Sequence, residues 1–136
     1  MQIAIDARAL SHPQPGGFKT YTYNLVRALL AHDRENQYVL YLDRPLEGGA
    51  RRELAAASQR VIRSVPGPAS VPLREQLLLP SLFARQRPDV VHFPCGTGPV
   101  TPTPALVATI HDAIELLDRS PLSIRSRGGL KRWMMG

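Results

Sequence analysis

The chain predicts an α/β fold, a parallel sheet with helices on both faces, and three observations carry the prediction. Short apolar runs alternate with stretches of helical spacing along most of the sequence. The first 43 residues alone spell strand, glycine loop, helix, strand. Residues that break regular structure gather after the apolar runs, as loops at strand ends require.

Gln2–Asp6 reads as a short buried strand, with Ile3, Ala4 and Ile5 apolar and Asp6 ending the run. The loop Ser11-His-Pro-Gln-Pro-Gly-Gly17 follows. Phe18 to Ala31 reads as a helix, because Tyr21, Leu25, Ala28 and Leu29 recur at i, i+4, i+7 and i+8. Gln37–Asp43 is rich in aromatic and branched residues and reads as a strand. Gly48-Gly49 opens a short helical stretch through Ala57, and Arg60–Val65 is a third strand. Pro66-Gly67-Pro68 is a turn. Leu73–Gln86 fits a helix that Pro80 should kink or split. Val90–Phe93 is a fourth strand, a proline-rich loop runs from Pro94 to Pro104, and Ala105–Ile110 is a fifth strand. Residues 122–136 read as a further helix interrupted by Gly128-Gly129. The thirteen prolines cluster in the loops after strands and should stiffen them.

At 136 residues the chain has about the length of one domain. Its 43% hydrophobic and 21% charged residues are a globular composition. No apolar run approaches the ~18 residues of a membrane-spanning helix, and residues 1–20 hold no apolar signal core. A single cysteine, Cys95, excludes an intramolecular disulfide framework and a multi-cysteine zinc site, so a cytoplasmic location is expected. The formal net charge is +6, and residues 119–136 carry five basic residues and no acid. That tail is either a surface for phosphates or an anionic membrane, or a solvated helix face.

In sheets of this kind ligands bind beyond the carboxyl ends of the strands. That places Asp6 and Gly16-Gly17 after the first strand, His92 at the fourth, and His111-Asp112 after the fifth in one candidate region. The glycine pair at a helix start suits a phosphate, although neither Gly-x-Gly-x-x-Gly nor a P-loop is present. The same pair also serves as a plain turn. His111 could bond a hydroxyl or take a proton, or could pack while Asp112 caps the turn Ala113–Leu117. Asp6 either binds a ligand or, the favoured reading, holds the glycine loop by accepting its amides. His92 reads as a core residue, and Arg74-Glu75 as a surface pair. Cys95 has no base near it in sequence and is not expected to act as a nucleophile. No metal-ligand spacing is present.

Taken together, Ile3-Ala-Ile-Asp-Ala-Arg-Ala-Leu10, Gly16-Gly17 with Tyr21-Thr-Tyr-Asn-Leu25, Asn36-Gln-Tyr-Val-Leu-Tyr-Leu42, Arg74-Glu-Gln-Leu77, Pro88-Asp-Val-Val-His-Phe-Pro94 and Thr109-Ile-His-Asp112 resemble the start of the group 1 glycosyltransferases, the family 4 class of GT-B architecture. Mannosyltransferase-like members are the nearest in likeness. The resemblance implies a Rossmann-like amino-terminal half that mainly holds the acceptor, facing a second half that holds most of the nucleotide-sugar. It implies transfer of a hexose with retention to a glycan or lipid-linked acceptor, as in cell-envelope polysaccharide synthesis, with no metal and no cofactor beyond the nucleotide-sugar substrate. Gly16 and Gly17 would approach the donor phosphates, with Asp112 and Asp6 beside them, and His111 would face the transferred sugar.

The paired-glutamate motif of that family is not among these residues, so residues 1–136 are expected to be a truncated amino-terminal domain, inactive alone. Its expected location is cytoplasmic, with peripheral contact at the inner face of the membrane through the tail. An unpaired sheet edge would favour self-association. Nucleic acid is not an expected partner under this reading. The alternative is a non-enzymatic anion-binding module that uses its basic tail on nucleic acid or membrane.

Overall fold

The order in which the apolar runs pair decides which loops can meet. In the computed structural model, which describes residues 1–62, 70–101 and 104–112, five strands form one parallel sheet. They are β1 (Gln2–Asp6), β2 (Gln37–Leu42), β3 (Ser58–Val61), β4 (Val90–Phe93) and β5 (Ala105–Ala108), ordered β3-β2-β1-β4-β5. β1 is central: Ala4 lies opposite Val39 on one side and Val91 on the other. Connections leave β1 towards one edge of the sheet and return to it from the other. The carboxyl ends of β1 and β4 therefore flank the crevice where the strand order reverses.

Alternation along the strands divides the core into two layers. Ile5, Leu40 and Leu42 pack with Val26 of α2 (Gly17–His32) and with Leu54, which ends α3 (Gly48–Glu53). Ala4, Val39, Tyr41, Val91 and Phe93 pack with Leu79 and Phe83 of α5 (Leu79–Gln86). Phe83 stands edge-on to both Tyr41 and Phe93, at 5.5 and 6.3 Å between ring centres. Covering both faces explains why β1 and β2 read as apolar runs rather than as alternating patterns.

Several boundaries differ from expectation. A single turn, α1 (Arg8–Ser11), follows β1 where none was expected. β3 starts at Ser58, β5 stops at Ala108, and α3 ends at Glu53. The helix expected over Leu73–Gln86 is split, as Pro80 predicts. It consists of α4 (Ser70–Leu73), a π-helical turn (Arg74–Leu78) and α5. The Leu79 amide reaches the Arg74 carbonyl five residues back. Pro80 has no amide to continue a four-residue ladder, and a widened turn just before it absorbs that loss. The turn at Pro66-Gly67-Pro68, the end of the third strand towards Val65, the turn Ala113–Leu117 and the tail helix lie outside the described residues.

Candidate functional site

Two groups of polar side chains occupy the carboxyl edge of the sheet. The first is centred on the π-helical turn. Arg74 is fully buried and donates to Asp6 Oδ1 at 2.8 Å, to Asp43 Oδ1 at 2.9 Å and to the Tyr41 carbonyl at 3.2 Å. Glu75, also buried, takes Arg8 at 2.6 Å and the Thr97 hydroxyl at 2.7 Å on one carboxylate oxygen. Gln76 donates to the Gly98 carbonyl and accepts from the Val100 amide. Three consecutive residues thus tie together the segments that follow β1, β2 and β4. The widened turn spreads these neighbouring side chains towards separate partners.

This arrangement corrects two expectations. Arg74-Glu75 is not a surface pair, because both side chains are enclosed by strand ends from distant parts of the chain. Asp6 does not hold the glycine loop: its carboxylate is engaged by Arg74 and, at 3.5 Å, by Arg8. Burial opposes the charge on Arg8, but Asp6 and Glu75 outweigh it and raise the pKa above the ordinary arginine value. Among the described residues, one buried nitrogen of each arginine, Arg8 Nη1 and Arg74 Nε, has no hydrogen-bond partner. Cys95 lies close by, and its thiol is pushed up to about 11 by burial and then by the negative charge of Asp6. A thiol so protonated makes a poor nucleophile.

The second group lies where β4 and β5 end against the start of α2. Gly16 has extended backbone, and no side chain caps the helix that Gly17 begins. Its first turn holds no acidic residue, and Lys19 donates to the His12 carbonyl at 2.6 Å. Among the described residues, and apart from its own helix and chain neighbours, a Cβ placed on either glycine would meet no atom within 4 Å, so these residues leave space beside the helix start. His111 lies against the same turn, its ring edge-on to Phe18 at 5.0 Å and to Tyr21 at 4.7 Å. The structure therefore brings Gly16-Gly17 and His111, 94 or more positions apart in the sequence, to one place. Asp112 follows His111 and is exposed.

His111 Nε2 lies 2.7 Å from the Pro94 carbonyl oxygen. A carbonyl only accepts, so Nε2 carries a proton and donates it to Pro94. Beneath it, His92 Nε2 is 2.9 Å from Thr109 Oγ1, and the Tyr21 hydroxyl is 3.3 Å from the same oxygen. Burial pushes the His92 pKa below the ordinary histidine value. His92 is thus half-buried and hydrogen-bonded to Thr109, outside both core layers, rather than the core residue expected. The second group can attract an anion to the amino-terminal end of α2 and can bond a hydroxyl through His111.

Sequence reasoning missed Arg8, Arg74, Glu75 and Thr97. Their only signal is that Arg74-Glu75-Gln76 interrupts an apolar helix face directly ahead of Leu77-Leu-Leu-Pro80. Among the described residues, no three His, Cys, Asp or Glu side chains are grouped as a metal site needs. No helix among them is long and apolar enough to cross a membrane. No family model, curated protein or solved structure matches the chain.

Proposed function

We propose that the chain is the amino-terminal, acceptor-side half of a retaining glycosyltransferase that uses a nucleotide-sugar. The contact of His111 with the first turn of α2 carries this reading. It puts an imidazole that could bond a hydroxyl beside the first turn of a helix whose start has no side-chain cap among the described residues. Glycosyl transfer calls for the same two elements. The leaving diphosphate needs fixed positive dipoles, and the sugar needs hydrogen bonds that hold its anomeric carbon in line with the acceptor hydroxyl. The amides of α2 would supply part of the first, and His111 would orient the sugar. The Rossmann-like strand order supports the reading, because its reversal lies at this crevice. The six sequence segments that resemble the group 1 enzymes support it independently. A hexose is the expected sugar and a glycan or lipid-linked hydroxyl the expected acceptor.

The test is an amide-resolved NMR titration of the chain with nucleoside diphosphate sugars at millimolar concentration. The reading predicts shifts at Gly17, Phe18 and His111 that the corresponding uncharged nucleosides do not produce. Shifts confined to other surfaces, or none with any nucleotide-sugar, would count against it.

A further inference from the structure

On the sheet face that carries α5, the β2–β3 side holds a cleft of about 660 Å³, within the usual size of a small-molecule site. Its apolar lining is aliphatic: Ile62 just beyond β3, with Leu78 and Leu82 from the helical segment opposite. Tyr41 also borders it, but its ring is buried against Phe83 and its hydroxyl donates to Gln86, so it offers no face for stacking. Two exposed arginines, Arg60 of β3 and Arg85 of α5, line it too, together with Val61, Ser81 and Gln86. Among the described residues neither forms an ion pair, and no acidic side chain lines the cleft. Residues 63–69, which follow in the chain, contain no acid either.

An aliphatic cleft with two uncompensated guanidiniums fits a ligand with a single aliphatic chain and an anionic oxygen head. We infer that it binds a free acyl carboxylate, with the chain on Ile62, Leu78 and Leu82 and the head on Arg60 and Arg85. A carboxylate matches the planar fork of a guanidinium, and a monoanion loses less hydration on entering an apolar cleft than a phosphate dianion does. Without aromatic surface, a nucleobase or aromatic acid would find no stacking partner. The cleft lies on the opposite sheet face from α2, so this assignment stands or falls apart from the glycosyltransferase reading.

Calorimetric titration of the chain with decanoate, decanol and decyl phosphate tests it, alongside NMR mapping and thermal melts. Decanoate is expected to bind one to one, with amide shifts at Ile62, Ser81 and Leu82. The double variant Arg60→Gln/Arg85→Gln should bind it about tenfold more weakly with unchanged melting, since both side chains are exposed. Ser81→Trp, an exposed position at the cleft, should weaken decanoate and decanol alike by filling the space. The assignment is overturned if decanol binds as tightly as decanoate, or if the double variant binds as tightly as the natural chain. It is equally overturned if only decyl phosphate binds, or if no ligand saturates.

Discussion

On the β1–β2 side of the carboxyl edge, the carboxylates of Asp6, Asp43 and Glu75 bond the guanidiniums of Arg8 and Arg74, with both arginines enclosed. On the β4–β5 side, His92, Thr109, Tyr21 and His111 meet with no ion pair among them, and His111 stays exposed beside an uncapped helix start. The two groups occupy the same edge of one sheet. In the first, charge is consumed internally and joins distant loops. In the second, the side chains are held by hydrogen bonds and ring contacts without an ion pair among them. The difference teaches that a cluster of charged residues at a strand edge is not by itself a ligand site. What matters is whether the charges are already paired.

Breaking the closed group should have the largest effect. Arg74→Met leaves the Asp6 carboxylate buried without its main partner, and urea unfolding should register a loss of about 3–5 kcal/mol. The double variant Asp6→Asn/Arg74→Met should lose less than Arg74→Met alone, because the orphaned charge is gone. A loss under about 1 kcal/mol for Arg74→Met would mean that this group is as solvated as a surface pair.

Glu75→Gln keeps the shape and removes one charge facing Arg8 and Thr97. It should cost about 1–3 kcal/mol in the same experiment.

The open side should answer to pH instead. Burial lowers the His92 pKa in the folded chain, so the unfolded chain binds its proton more readily. The contribution is therefore fully present above the unfolded histidine value of about 6.5 and is lost as pH falls below it. Melting temperature should drop between pH 7.5 and 5.5, and His92→Gln should flatten that part of the profile. Asp33, held below the ordinary carboxylate range by the Tyr38 hydroxyl and then by Asn36, acts lower on the scale. Its contribution is present above pH 4 and disappears as the pH falls through its folded value.

The smallest effect on stability should come from Gly17→Ala. The added Cβ meets open space at the first helical position, so unfolding free energy should change by no more than about 1 kcal/mol. Binding of a nucleotide-sugar should nevertheless weaken, since the methyl group would occupy the approach to the α2 amides. Unaltered binding would move the anion elsewhere.

Much of this was legible in the sequence. The strand and helix periods of the first 43 residues are strong, and β1, α2 and β2 fall within a residue of their expected limits. The rule that ligands meet the carboxyl ends of parallel strands was enough to bring Gly16-Gly17 and His111 together. Arg74 and Glu75 were not legible, because a charged residue is buried only when partners arrive from elsewhere. Here those partners are Asp6, 68 positions away, and Thr97, 22 positions away. The expected role of Asp6 failed for the same reason. Adjacency in sequence favoured the glycine loop, whereas the fold supplied two guanidiniums with stronger claims on a buried carboxylate.

The central claim is that His111 faces a sugar rather than filling a core, and His111→Ala tests it most directly. Saturation-transfer NMR on a nucleotide-sugar, measured together with thermal melting, reads both roles from one variant. The account predicts that the sugar-ring signals fall sharply while the melting temperature stays within a degree or two, because His111 is exposed and its removal leaves no enclosed cavity. Undiminished sugar-ring signals with a drop of several degrees in melting temperature would contradict it and make His111 a structural residue.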